Sequence, residues 1–281
     1  MKRIKPVLLL LLLLILHGTT SAQHEYAAAH SSATPIVRAA ELHGASQTLS
    51  TRDGGAINAE SINNAGCVSL DAGEYEKAIA QFKLAISLQP QLSEAHNNLG
   101  YTYILRGQFA EAMSTFTEAA RLNPANARAH FNLGRLHAKA GQTQDALKHL
   151  RQAITLKPDY ANAYNQLGAV YEQLGRYKEA LKFLLEAVRL DASNVVALNN
   201  LGVVQSHLKD YDAAIKTLQR ALELDPKFAQ AQYNLGITYA ARKDKRAALG
   251  LHGTLKQLDA ELGRKLFAEI FADKILDVSQ K

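Results

Sequence analysis

Residues 93–126 read SEAHNNLGYTYILRGQFAEAMSTFTEAARLNPAN, and residues 127–160 read ARAHFNLGRLHAKAGQTQDALKHLRQAITLKPDY. Set one above the other, the two stretches share Ala at position three, His at four, Asn-Leu-Gly at six to eight, Ala at twenty and twenty-seven, Leu at thirty and Pro at thirty-two. The same ruler extends outward in both directions. Pro90, Pro124, Pro158 and Pro226 are separated by 34, 34 and 68 residues, and a fixed interval of a few tens of residues is the mark of stacked supersecondary units.

Counting from Ala59 as position one, position eight is Gly66, Gly100, Gly134, Gly168, Gly202 and Gly236. Position twenty is Ala78, Ala112, Ala146, Ala180, Ala214 and Ala248; position twenty-seven is Ala85, Ala119, Ala153, Ala187 and Ala221. Leu88, Leu122, Leu156, Leu190 and Leu224 fill position thirty. Apolar residues recur at helical spacing on either side of a turn near Gly107, Gly141 and Gly175, which predicts two amphipathic helices per unit. Glycines there suit a helix end in the left-handed conformation. Glycine inside a helix costs about 1 kcal/mol relative to Ala, so six in register imply a close helix contact that more than offsets the loss. Pro at position thirty-two stops the second helix.

These columns resemble the tetratricopeptide repeat: a bulky residue at four (Tyr164, Leu198), Leu-Gly at seven and eight, Tyr at eleven (Tyr103, Tyr171, Tyr239), Ala at twenty, a bulky residue at twenty-four (Phe82, Phe116, Leu184), Ala at twenty-seven and Pro at thirty-two. The resemblance spans 59–258 and implies an all-α fold, a right-handed superhelical solenoid of antiparallel helix pairs in units 59–92, 93–126, 127–160, 161–194, 195–228 and 229–258. Ala192 replaces one proline, and the sixth unit is degenerate, with Lys243, His252 and Leu255 at consensus sites. Residues 259–281 are expected to form a final helix, capped by Asp259. Its stripe of Leu262, Leu266, Phe267, Ile270, Phe271 and Ile275 either covers the open end of the stack or pairs with a second copy in a homodimer.

Ahead of the repeats, Lys2, Arg3 and Lys5 precede ten apolar residues, Val7 to Leu16, and a small-residue site at Thr20-Ser21-Ala22. That order predicts a signal peptide over 1–22 and an exported protein, periplasmic or secreted. Ten apolar residues fall short of the roughly 20 needed to span a bilayer, so no stable membrane span is expected after cleavage. An uncleaved N-terminal anchor is the alternative. Residues 23–58, rich in Ala, Ser, Thr, His and Gly, read as a flexible leader. Without the basic N-terminus, 29 basic face 26 acidic side chains, too weak an excess to imply nucleic acid. The single cysteine, Cys67, excludes an intramolecular disulfide and a thiolate metal cluster.

No phosphate-cradling loop, nucleophile elbow or zinc-protease His pair occurs in the sequence, so neither catalysis nor a cofactor nor a metal is expected. His96 and His130 correspond through the repeat and read as core or groove-rim residues. The resemblance implies that the first helix of each unit lines a concave groove through positions two, five, six, nine, twelve and thirteen. Position six is Asn64, Asn98, Asn132, Gln166, Asn200 and Asn234. Asn is a mediocre helix former, and its amide both donates and accepts. The Ala-x-x-Asn-Leu-Gly motif resembles the repeats of O-linked N-acetylglucosamine transferases, where an asparagine ladder grips substrates, although that enzyme's catalytic domain has no counterpart in these residues. Two readings stay open: the amides hold an extended peptide, or they brace adjacent helices. Arg128, Arg135 and Lys139, at positions two, nine and thirteen of the third unit, add a basic spot for an acidic segment or a terminal carboxylate, unless they are simply solvated. The expected function is a non-catalytic adaptor that binds a protein or peptide partner in its groove. A scaffold that self-associates through its ends or outer helices is the alternative.

Overall fold

The computed structural model describes residues 58–278, with side chains up to Phe271. The expected signal peptide and nearly all of the expected leader lie outside the described residues. Within them there are thirteen α-helices and no strand: α1 (Ala59–Asp71), α2 (Tyr75–Leu88), α3 (Ser93–Leu105), α4 (Phe109–Leu122), α5 (Ala127–Lys139), α6 (Thr143–Leu156), α7 (Ala161–Gln173), α8 (Tyr177–Leu190), α9 (Val195–His207), α10 (Tyr211–Leu224), α11 (Ala229–Ala241), α12 (Lys245–Leu258) and α13 (Ala260–Val278). They fall into two compact units that meet in sequence after Leu156. The first holds α1–α6 as three helix pairs; the second holds three more pairs and α13. None of the helices is long and apolar enough to cross a membrane.

Each pair is made by one contact. A Cβ built on Gly134 in α5 would stand 2.6 Å from Cγ of Leu150 in α6, so only a hydrogen fits. Gly66 and Phe82, Gly100 and Phe116, Gly168 and Leu184, and Gly202 and Leu218 repeat the arrangement. Every one of these large partners is fully buried, as are the alanines at positions twenty and twenty-seven. Small residues thus bring the two helices together, and one bulky side chain per pair fills the space they leave.

The sixth pair departs from this rule in an informative way. Position twenty-four is His252, and the side chain lying 2.6 Å from a Cβ built on Gly236 belongs to Leu266 of α13. The final helix therefore inserts the residue that the degenerate unit lacks. Leu266 and Ile270 are buried with Tyr233, Ala248 and Leu255, and α13 presses so close to α12 that a Cβ on Gly263 would meet the Lys256 backbone at 2.8 Å. Asp259 caps this helix, accepting from the amides of Glu261 and Leu262 at 2.9 and 3.0 Å. Phe267, from the same expected stripe, stays 46% exposed.

The turn inside each pair is a Schellman closure. At the end of α1 the Glu74 amide donates to the Ser69 carbonyl at 2.8 Å and the Gly73 amide to Leu70 at 2.9 Å, which requires a positive φ at the glycine. Gly107, Gly141 and Gly175 adopt it too, but in the last two pairs Lys209 and Lys243 hold φ of 65° and 67°. Their closures match: Asp210 to Gln205 and Asp244 to Tyr239, both 2.9 Å. The turn geometry is imposed by the packing of the pair, against the preference of a side chain with a Cβ.

Gly134→Leu should lower stability by about 1–3 kcal/mol, because overpacking has no room to relax against Leu150; an unchanged thermal midpoint would refute this contact. Lys209→Gly should instead raise stability by about 1 kcal/mol by relieving the left-handed cost. Urea titration of the variant against the parent checks it, and a lower midpoint would be the contrary result.

Candidate functional site

Six helices, α1, α3, α5, α7, α9 and α11, carry the side chains expected to face a ligand. The dipeptides Asn63-Asn64, Asn97-Asn98 and Asn199-Asn200, with Asn165-Gln166, place amides at positions five and six. In the first unit Asn98 Nδ2 donates to Asn63 Oδ1 at 3.0 Å, and Asn132 Nδ2 to Asn97 Oδ1 at 3.2 Å. In the second, Asn200 donates to Asn165 at 2.9 Å and Asn234 to Asn199 at 2.8 Å. One rule covers all four bonds: the position-six amide of each helix donates to the position-five oxygen of the preceding first helix. Asn98 and Asn132 are 3% and 6% exposed, so these two serve as braces and offer little surface.

The remaining members differ in kind. Asn64 is exposed and Gln166 half-buried, and among the described residues neither side chain makes a hydrogen bond. Asn200 and Asn234 are half-buried; their oxygens accept from Asn199 and Gln230 at 3.3 and 3.2 Å. The pairing of positions five and six was open to sequence reasoning in the repeated Asn-Asn dipeptides. What the sequence hides is that the partner lies 35 residues upstream.

The basic residues occupy one stripe of α5. Arg128 is exposed, the Arg135 guanidinium lies 5.4 Å from the Phe131 ring centre, and Lys139 Nζ sits 3.5 Å over the Phe109 ring of α4. Burial, and then the neighbouring Arg135, lower the proton affinity of Lys139. In the second unit the half-buried Glu172 carboxylate is pushed up by burial and stands 3.7 Å from His207 Nε2. The His207 ring stacks on Tyr177 at 4.5 Å, and burial lowers its pKa.

Position four has a role that the sequence reading missed. His96 Nε2 lies 3.0 Å from the Pro90 carbonyl, His130 Nε2 3.2 Å from that of Pro124, and Gln232 Nε2 donates to Pro226 at 2.8 Å. A donor at position four ties down the carbonyl of the proline that ended the previous second helix. The signal was the company these residues keep: Leu198, which has no donor, follows Ala192 instead of a proline.

With His130 donating through Nε2, its Nδ1 is left to accept, and it lies 3.1 Å from His149 Nδ1. His137 completes the group, its ring parallel to His149 with centres 5.4 Å apart. The Tyr164, Phe183 and Tyr171 rings fill the corresponding positions of the fourth pair, with centres 6.4 and 5.3 Å apart. The three imidazoles therefore do the packing work of aromatic rings, and no group of three or more His, Cys, Asp or Glu among the described residues is placed to hold a metal ion.

A family model described as the C-terminal domain of cilia and flagella-associated protein 70, a tetratricopeptide-repeat model, matches residues 20–265. Among solved structures, the chain is similar to the APC/C hetero-tetramer Cut9–Hcn1, with a TM-score of 0.69 and 22% identity over 76% of this chain. It spans 42% of that larger chain. It is also similar to Pseudomonas aeruginosa pilF, with a TM-score of 0.67 and 20% identity, covering 75% of this chain and 97% of that one. A third, YrrB, described as a TPR protein with an unusual peptide-binding site, gives a TM-score of 0.54 at 22% identity, covering 66% of this chain and 96% of that one. At such identities the likeness is one of fold. No curated protein matches the chain significantly.

The histidine stack makes the third pair acid-sensitive. Burial, and then the neighbouring His130 and His137, push His149 down to about 4, and burial lowers His130 as well. The unfolded chain thus takes up a proton on His149 between the ordinary value of about 6.5 and about 4, where the folded chain resists. The contribution of His149 is complete above about 6.5 and is lost as pH falls toward 4, and burial of His130 acts in the same direction. His149→Phe, which copies Phe183, should narrow the gap between urea midpoints measured at about pH 7 and about pH 5. An equal gap in parent and variant would mean that the stack does not set it.

Proposed function

We propose that this chain, which belongs to the tetratricopeptide-repeat family matched through the C-terminal domain of cilia and flagella-associated protein 70, is a non-catalytic adaptor. Its first-helix faces bind an extended peptide or a partner's helix. The fold is that of a protein-interaction scaffold. The observation that supports the finer reading is the pair of unspent amides, Asn64 and Gln166, each the first member of position six in its own compact unit. Polar groups that neither fold the helix nor brace its neighbour have no evident structural use, and an amide suits the backbone of a bound chain, since it both donates and accepts. The N-terminal residues 1–22 favour export, so the partner is to be sought in a periplasmic or extracellular fraction.

A second reading rests on Phe267, which is exposed beside His252 and Phe271 with ring centres 5.2 and 4.7 Å away. An aromatic edge left open on the terminal helix fits self-association.

One experiment separates the two. Asn64→Ala combined with Gln166→Ala should leave the thermal midpoint nearly unchanged, because Ala is the better helix former. The double variant should bind captured partner about tenfold more weakly, each lost backbone contact being worth about 0.5–1.5 kcal/mol. Full binding by the double variant, together with loss on Phe267→Glu, would hand the function to the terminal helix.

A further inference from the structure

The first helices of the second compact unit are almost without charge. In α7, α9 and α11 there is no Lys or Arg, and the one acid is Glu172. Folding does not call for an acid at its place, since position twelve is elsewhere Leu70, Ile104, Ala138, Ser206 or Ala240. Position nine of the same three helices is aliphatic, with Ala169, Val203 and Ile237 half-buried.

This carboxylate is partly withdrawn from water, and no cation of the fold opposes it. The Glu172 side chain is 28% exposed, reachable but short of full hydration, and burial pushes its carboxyl up. It makes no hydrogen bond among the described residues. His207 Nε2, at 3.7 Å, lies beyond hydrogen-bond reach, and burial holds that imidazole toward its neutral form. The Tyr177 ring, stacked on His207 at 4.5 Å, keeps it in that position. Arg176, the nearest cation in sequence, is already engaged: it donates to Glu179 at 2.8 and 2.6 Å and lies 4.9 Å from the Tyr171 ring centre. A half-buried carboxylate without an opposite charge costs stability, and a cation brought by a ligand would offset that cost.

We propose that Glu172 is the subsite for one basic side chain, lysine or arginine, of the extended peptide bound on the first-helix face. The proposal rests on the groove reading above and supplies the chemistry of its ligand. Gln166, Ala169 and Glu172 follow at steps of three residues, each a neighbour of the next along α7. The amide and the carboxylate are thus about 9 Å apart at ~1.5 Å per residue. An extended chain covers that span in about three residues, so a peptide whose backbone meets Gln166 brings one side chain to Glu172. A basic side chain is preferred there to a neutral one, because a charge-assisted hydrogen bond gains most where the carboxylate has already lost hydration. The three helices offer one carboxylate and no second charge. They therefore suit a single basic residue in an uncharged segment better than a polycation.

Fluorescence anisotropy on the full chain tests it at about pH 8, where an imidazole is neutral. The probes are labelled peptides of about ten Ser and Gly residues that carry one central Arg, Gln or Glu. The Arg peptide should bind about tenfold more tightly than the Gln peptide at about 50 mM salt, and the Glu peptide more weakly than either. Glu172→Gln should bring the Arg peptide down to the affinity of the Gln peptide. The thermal midpoint of that variant should stay level or rise, since it keeps the shape and loses a half-buried charge. A lower midpoint would make Glu172 a brace of the fold and overturn the proposal. Equal affinity for the Arg and Gln peptides overturns it but leaves the groove reading standing, whereas failure of every peptide to bind overturns both. Light scattering on the same samples covers the other source of a cation. A dimer of the parent that Glu172→Gln dissolves would assign the carboxylate to a second copy of the chain, and that also overturns the proposal.

Discussion

A hydrogen atom at position eight, where any other residue would place a Cβ, is the constraint on which the helix pairs depend. It lets the first helix descend onto a single large side chain of the second, and the alanines at positions twenty and twenty-seven are the other half of that approach. A glycine in a helix costs about 1 kcal/mol, and it is kept six times because close packing returns more than that in dispersion and burial. The sixth pair shows how strong the demand is. When the second helix supplies only His252, Leu266 arrives from another helix to fill the same space. The strained backbone at Lys209 and Lys243 follows from the same demand, since the two helices must turn back on each other within three residues whether or not glycine is available.

Much of this was legible in the residues. Columns of Gly, Ala, Leu and Pro at one interval define the units, and the two-helix content of each unit can be read from them. What stayed hidden depends on partners far apart in sequence. No period connects Leu266 to Gly236, because α13 is not a copy of any repeat. The left-handed turn at Lys209 cannot be read from lysine; it follows only from alignment with Gly73, Gly107, Gly141 and Gly175. The hydrogen bonds of His96, His130 and Gln232 to proline carbonyls needed the fold to bring position four beside the end of the preceding unit.

The asparagine column shows how one residue type can serve two ends. From sequence alone, the column reads first as a grip on a peptide, with bracing between helices as the alternative. The four donor bonds between positions six and five make bracing a fact for Asn98, Asn132, Asn200 and Asn234. Each brace contributes about 1 kcal/mol net, and breaking one would strand a buried oxygen on Asn63, Asn97, Asn165 or Asn199, which costs more than the bond itself returns. Amides committed in this way are poor candidates for yielding to a ligand. On the proposed reading, ligand contact would fall to the amides left over, Asn64 and Gln166, and to side chains beyond the column.

Charge is divided between the helices in a way that bears on the same point. The second helices carry i,i+3 pairs such as Arg121 with Glu118, Arg189 with Glu186 and Arg220 with Glu223, all substantially exposed. Pairs of this kind contribute little to stability in water; they keep a solvent-facing surface hydrated and screened. First-helix faces lack that arrangement. Their few acids and the basic residues Arg128, Arg135 and Lys139 of α5 are set among amides and apolar side chains rather than in i,i+3 pairs.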